Sequence, residues 1–328
     1  MNDKISFPGL GIKEFKIDPI ALEFELFGKE FSIAWYGVII TTGIVLAILY
    51  IYYRLKNQGL IGDDLIDITF ATVIPGILGA RIYYVIFHGI KNPGTYTSFY
   101  DVIAIWEGGL AIYGGIIFGA LGAIVMLRVK KIRGLAFFDA LGPAVMIGQI
   151  LGRWGNFFNC EAYGAPTSLP WRMRIDFAYG ETVEVHPTFF YESMWNVVGL
   201  VIITLVFYTF KKKKFDGQVL LFYLAWYGLG RAFIEGLRQD SLYIGNLRVS
   251  QWVAIICFVV AGSLFVYFTV KIKENVSSDV IYKEGTPKYE AIIAQRNKTV
   301  DTEDGADKNE NESSEPKALE ADEDKKDQ

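Results

Sequence analysis

Seven stretches of this chain, at about 33–53, 68–88, 103–127, 135–158, 189–210, 217–238 and 250–270, are apolar for long enough to span a bilayer. A hydrocarbon core needs ~20 such residues per helix. The charges collect between the runs instead of being interspersed, so mean hydropathy reaches +0.28 although 21% of residues are charged. The pattern predicts an all-α polytopic membrane protein with seven transmembrane helices. Basic flanks then give a direction. Arg54 and Lys56 follow the first run, Lys130, Lys131 and Arg133 the third, Lys211 to Lys214 the fifth, and Lys271 and Lys273 the seventh. The even exits are poorer, with Lys91, then Arg172 and Arg174, then Arg248. By the positive-inside rule the N-terminus is outside and the C-terminus cytoplasmic.

The expected organisation is an extracytoplasmic N-terminal segment at 1–32, a seven-span membrane domain at 33–273 and a cytoplasmic tail at 274–328. No basic region abuts the first run, so it does not read as a cleavable signal peptide. The connection at about 159–187 contains Pro166, Pro170, Trp171 and the alternating stretch Arg172-Met-Arg-Ile-Asp-Phe. It is expected to form a small extracytoplasmic head with a strand or two. From Asp301 to Gln328 there are 12 acidic and 4 basic residues, a charge of -8 in a chain whose total is -4, so everything before it carries +4. So few apolar residues cannot offset the entropy of ordering, and the tail reads as disordered, either solubilising or partner-docking.

Two cysteines and two histidines support neither a disulfide scaffold nor a usual zinc cluster. No metal and no cofactor are expected, and nucleic acid is not an expected partner. Chemistry must come from ionisable groups inside the spans, which are costly there and mostly face a cavity or a partner. Arg81 lies in the second run, Glu107 in the third, Asp139 and Arg153 in the fourth, Glu192 in the fifth, and Arg231, Glu235 and Arg238 in the sixth. Arg81, Arg153 and Arg231 fall in the outer halves of their spans under this topology. Tyr227, Arg231, Glu235 and Arg238 share one helical face, which is compatible with an Arg231–Glu235 ion pair or with a phosphate site. Gly115 and Gly119 form a GxxxG, for close packing or for a lipid groove. The doublets Gly108-Gly109 and Gly114-Gly115 weaken the third helix, part of which could be re-entrant. His186-Pro187 suits the entry to the fifth run, His88 is interfacial, Cys257 is a small hydrophobe, and Cys160 has no histidine near it in sequence to make it a nucleophile.

The segment Gly152-Arg-Trp-Gly-Asn-Phe-Phe-Asn-Cys-Glu-Ala-Tyr-Gly164 resembles the motif G-R-x-G-N-F-x-N-x-E-x-x-G of the prolipoprotein diacylglyceryl transferases. Further stretches fit that family in order: Trp35-Tyr36-Gly37, Gly79-Ala-Arg81, Trp106 to Gly115, His186-Pro187 with Tyr191-Glu192, and Tyr227-Gly-Leu-Gly-Arg231 with Glu235 and Arg238-Gln239. The resemblance runs from about residue 30 to 270. It implies transfer of the diacylglyceryl group of phosphatidylglycerol to the lipobox cysteine of preprolipoprotein signal peptides, at the outer face of the bacterial cytoplasmic membrane. Glycerol phosphate is released, and this is the first step of lipoprotein maturation. Arg153 and Arg231 look like the family's essential arginines. Tyr36, Asn156, Asn159, Glu161, Gly164, Tyr227, Glu235, Gly108, Gly114 and Arg81 take the positions of substrate-binding or supporting residues. At the third-span position where many members carry a proposed histidine base, this chain has Tyr113. An unperturbed phenol with a pKa near 10 is a poor base at neutral pH. The expectation for Tyr113 is orientation of lipid or phosphate, with the arginine field ionising the thiol.

Intramembrane arginines and broken glycine-rich helices also fit a small-anion transporter or channel. The absence of any internal repeat counts against that class. An intramembrane serine protease lacks a G-x-S-x-G-like element here. Transfer of labelled phosphatidylglycerol to a lipobox peptide, against ion flux in liposomes, separates the first two classes.

Overall fold

The computed structural model describes residues 3–298 apart from 27, 239–242, 245–246 and 278. The acidic stretch from Asp301 onward, expected to be disordered, lies outside the described residues. The chain divides after Ile281 into two compact units, and the second carries a helix over 287–298. All elements named below belong to the first.

Its helices are α1 (Trp35–Leu55), α2 (Gly62–Lys91), the short α3 (Phe99–Ile103), α4 (Ile112–Val129), α5 (Gly134–Phe158), α6 (Thr188–Ile203), α7 (Gln218–Gly236) and α8 (Val249–Lys271). A π-helical turn, Thr204–Thr209, continues α6. Among the described residues six helices are long and apolar enough to cross a membrane: α1, α2, α4, α5, α6 with its π-helical turn, and α8. The sixth run is present as α7, whose 19 residues include Arg231 and Glu235. The protein is therefore a mostly helical, multi-pass membrane protein. Many large apolar side chains of the spans are exposed, including Leu49, Phe70, Leu78, Ile116, Val125 and Val259, as expected when lipid is the solvent.

The third apolar run differs from its expectation. The apolar pattern starts near residue 103, but α4 begins only at Ile112. Gly108 has φ +89° and ψ −154°, a backbone conformation almost confined to glycine, and Gly109 follows at φ +72°. A helix cannot pass through that pair.

The packing of α4 on α2 settles the glycine stripe as a close-approach seam. A Cβ on Gly114 would lie 2.2 Å from the carbonyl oxygen of Gly79, and one on Gly122 1.8 Å from that of Ala71. Helices without side chains between them gain van der Waals contact that lipid cannot match. A second pair, α1 and α5, meets where Gly43 faces Gly148. Helix α5 also packs on α6 and α7, and α7 lies along α8. By contrast α4 touches α5 at only a few residues.

The head is larger than the 159–187 segment. Strands β1 (Lys4–Phe7), β2 (Ile12–Lys16), β5 (Met173–Asp176) and β6 (Thr182–Val185) form one antiparallel sheet in the order β2-β1-β5-β6. Ile5 pairs with Ile175 across β1 and β5. The inward faces of these strands, with Ile17, Cys160 and Phe189, make a small core of their own. The alternation of β5, Met173 and Ile175 in and Arg174 and Asp176 out, is that of a sheet with one buried face. A separate hairpin, β3 (Ile20–Leu26) with β4 (Lys29–Ala34), leads directly into α1. The short pair β7 (Tyr243–Ile244) and β8 (Leu247–Arg248) precedes α8.

At the opposite end of α5 the buried Asp139 accepts hydrogen bonds from Gly217 N at 2.8 Å and Leu220 N at 2.9 Å. It therefore caps the start of α7 from another helix, where free N–H groups and the helix dipole favour an anion.

Candidate active site

The first half of α6 buries three neighbouring polar residues, Glu192, Ser193 and Asn196. Ser193 Oγ donates to the Ile150 carbonyl at 3.1 Å and Asn196 Nδ2 to the Glu192 carbonyl at 3.0 Å. Glu192 thereby points into the junction of α5, α6 and α7. Its Oε2 lies 2.7 Å from Arg153 Nη2 on α5, and its Oε1 lies 2.5 Å from Arg231 Nη1 on α7. One buried carboxylate bridges the two arginines.

The network continues on both sides. Arg231 Nη2 pairs with Glu235 one turn further along α7, and Ser250 Oγ donates to Glu235 Oε1 at 2.7 Å. Arg153 Nη1 donates to Asn156 Oδ1 at 3.3 Å. Glu161 Oε1 gathers Asn156 Nδ2 at 3.0 Å and Asn159 Nδ2 at 3.2 Å. Asn159 to Glu161 can turn back onto the helix end because Cys160 takes φ +49°, and Ala162 follows at φ +57°. Such left-handed conformations in residues other than glycine are uncommon and cluster at functional sites.

The alignment of α6 with α7 has its own clasp. Trp195 Nε1 donates to the Trp226 carbonyl and Trp226 Nε1 to the Trp195 carbonyl, each at 2.9 Å, with the rings stacked at 4.4 Å. Each indole sits against a glycine of the facing helix, Trp226 on Gly199 and Trp195 on Gly230. Gly230 directly precedes Arg231, and Glu192 lies one turn before Trp195, so the clasp sets the register in which they meet.

Of the other expected site residues, Tyr36 packs its ring against Gly155, where a Cβ would come within 2.6 Å. Tyr227 lies one turn before Arg231, its ring stacked with Tyr223. Gly164 is wedged between His186, Thr188 and the Leu237 carbonyl, with its N–H bonded to the His186 carbonyl at 2.9 Å. That is a packing reason for glycine.

Arg81, Gly108, Gly114 and Tyr113 belong to a second cluster on α2 and α4. Arg81 is buried, and its guanidinium donates to four backbone carbonyls: Val102 at 2.8 Å, Asp101 at 2.7 Å, Gly108 at 2.7 Å and Gly109 at 3.2 Å. It pins the loop before α4 and has little donor capacity left for phosphate. The loop is also tied by the Ser98–Asp101 capping box. Hydrogen bonds from Ser98 and Thr97 hold the Asp101 carboxyl below its usual pKa. Tyr113 stands on the first turn of α4, about one-third exposed. Among the described residues no hydrogen bond or ion pair joins this cluster to Arg153 or Arg231.

Cys160 is no nucleophile. Burial, with the Asp3 carboxylate beside it, pushes its thiol up to about 12, so it stays protonated at physiological pH. His186 Nδ1 lies 3.3 Å from the Tyr191 hydroxyl, which also accepts from Trp171 Nε1 at 2.7 Å. These side chains border an apolar groove of about 700 Å³ that also touches Trp154, Phe157 and Leu237. Hydrocarbon fits such a lining.

Glu192, Ser250 and the tryptophan clasp are the parts sequence reasoning did not assign to the site. A carboxylate inside an apolar run was a signal for Glu192, but its partners lie on two other helices.

The prolipoprotein diacylglyceryl transferase family model matches residues 21–267. Enzymes named phosphatidylglycerol--prolipoprotein diacylglyceryl transferase align along nearly their whole length. That of Finegoldia magna is 43% identical over 257 residues, 77% of this chain and 96% of the relative. The Streptococcus agalactiae enzyme is 40% identical over 262 residues, 76% and 96%. The Staphylococcus aureus enzyme is 38% identical over 283 residues, 83% and 96%. With the motif residues gathered around one buried carboxylate and the match spanning most of the sequence, this chain belongs to the prolipoprotein diacylglyceryl transferase family.

Proposed function

We propose that the chain transfers the diacylglyceryl group of phosphatidylglycerol to the lipobox cysteine thiol of preprolipoprotein signal peptides. The reaction is placed at the outer face of the bacterial cytoplasmic membrane. The single observation that carries this reading is Glu192 bridging Arg153 and Arg231. A carboxylate held by two guanidinium forks marks a position suited to an oxyanion, and a phosphodiester can bind beside it through the same forks.

In this reading the head-group phosphate takes the open donors of the two arginines, and Glu192 shifts toward one side without losing contact with them. The cysteine thiolate attacks the glycerol carbon that bears the phosphate, forming a thioether C–S bond as the C–O bond breaks. The bonding pair stays on the departing glycerol phosphate, and the added charge falls where the arginines already point, so they stabilise the transition state without reorganising. The thiol proton passes to the shifted Glu192 carboxylate or, through water, to the phosphate. Asn156, Asn159 and Glu161 hold Arg153; Glu235 and Ser250 hold Arg231; Tyr36 and Tyr227 line the approach. Gly164, Gly108, Gly114 and Arg81 act through the backbone they shape. Tyr113 orients lipid through its hydroxyl.

The proposed topology has seven spans, with α7 as the sixth in order, an outside N-terminus and a cytoplasmic tail from 274 onward. The lysine-rich exits support the direction. The head, formed by the N-terminal strands with the 159–187 segment, then rests on the outer side, next to the apolar groove. Purified protein incubated with labelled phosphatidylglycerol and a lipobox peptide tests the proposal. Transfer of label is expected from the wild type and its loss from Arg153→Gln. A wild type that moves ions across liposomes and transfers no lipid would refute it.

A further inference from the structure

The end of the bundle where α1 runs into α2 holds a polar pocket of about 420 Å³, bordered by α1, the start of α5 and the π-helical end of α6. Its charged lining is Arg54, Lys211 and Lys213 with Asp139 and Asp279. Asp139 is committed to the α7 cap and to Lys213 at 3.0 Å, and Lys213 also pairs with Asp216 at 3.0 Å. Arg54 and Lys211 have no carboxylate partner among the described residues.

Arg54 is nonetheless fixed. Its guanidinium carbon sits 3.5 Å from the centre of the Tyr208 ring, and the Tyr208 hydroxyl is anchored on the Asp139 carbonyl at 3.0 Å. Stacking fixes the plane of the fork and leaves its edge donors open. Arg54 Nε and, nearby, Gln58 Oε1 are buried without a hydrogen-bond partner. Buried polar atoms are rarely left so, and each such case calls for an occupant. Lys211 is presented by a left-handed backbone, φ +49°, just beyond the π-helical turn. Both features are disfavoured and recur where function maintains them.

We propose that this pocket binds a phosphate group, carried by the head group of an acidic phospholipid or as free inorganic phosphate. The fixed Arg54 fork takes two oxygens and Lys211 a third, a division suited to a tetrahedral oxyanion. The pocket is separate from the transfer site: Asp139 and Arg153 stand fourteen residues apart on α5, about 21 Å along the helix. It does not depend on the transferase reading.

The test uses full-length protein in detergent, titrated with dioleoyl phosphatidic acid and, as reference, dioleoyl phosphatidylcholine, with bound lipids counted by native mass spectrometry. Arg54→Gln and Lys211→Gln are each expected to weaken phosphatidic acid binding about 10-fold or more, with the phosphatidylcholine count and transfer activity unchanged. Displacement by millimolar inorganic phosphate identifies a site for phosphate in general, and failure to displace identifies the lipid head group. Wild-type affinity in Arg54→Gln overturns the proposal. Should that variant not fold, wild-type affinity in Lys211→Gln, whose side chain is exposed, overturns it equally.

Discussion

Replacing Glu192 by glutamine changes one buried charge and almost no volume. The carboxylate forms an ion pair with Arg153 through one oxygen and accepts a hydrogen bond from Arg231 on the other. The amide keeps one acceptor and turns a donor toward the second guanidinium, so one charge-assisted hydrogen bond is lost. Such bonds contribute about 1.5–3 kcal/mol each, which corresponds to roughly 10- to 150-fold in rate if the lost order is needed in the transition state. Glu192→Gln is therefore expected to lower kcat by that factor, with a smaller change in KM for phosphatidylglycerol. Glu192→Asp, one methylene shorter, can reach one arginine but not both and should fall between. The assay is initial transfer rate of labelled phosphatidylglycerol to a lipobox peptide at equal amounts of folded protein, with thermal stability measured alongside. An unchanged kcat with tighter lipid binding would refute the reasoning, because Glu192 would then merely compete with the phosphate.

Gly230→Ala places a methyl 2.2 Å from Trp195 Nε1; the displaced indole should lower stability by ~1–3 kcal/mol, seen as a lower melting temperature, and reduce transfer through the shifted Arg231. Tyr113→Phe should slow transfer only about 2- to 12-fold, the value of one neutral hydrogen bond; inactivity equal to that of Arg153→Gln would make the tyrosine the base. Cys160, its thiol pushed up to about 12, should react with maleimide at pH 8 at least ~100-fold more slowly than an exposed cysteine. Because folding raises that pKa, the thiol's contribution to stability is fully present below the unfolded value of ~8.5 and is lost as pH rises toward 12. A Cys160→Ala variant should lose that alkaline dependence in a denaturation series, and rapid labelling of native Cys160 would contradict its burial.

Much of the membrane architecture was legible because its causes are local. Six of the apolar runs form helices long and apolar enough to cross a bilayer regardless of what surrounds them, and Gly108-Gly109 already marked a weak point in the third. The cluster Arg153, Asn156, Asn159 and Glu161 was also legible, since all four sit within nine residues on one helix end and its turn. The α7 row of Tyr227, Arg231 and Glu235 follows from helical spacing alone. The backbone partners of Arg81 were not legible, because a place in an apolar run says nothing about which carbonyls a side chain will meet.

By itself, then, the sequence determined the class of protein, the approximate spans and the residues bearing charge inside them, all consequences of composition over one or two turns of helix. Only the tertiary structure decided what those charges do. It brought Glu192 from α6 between arginines of α5 and α7, set the register with two tryptophans facing two glycines, and joined β1 to β5 across some 170 residues of chain. The physical reason is that a buried charge must find its counter-charge, and a half-buried strand its neighbour, wherever packing puts them. Those partners lie on other elements, beyond the reach of any local pattern.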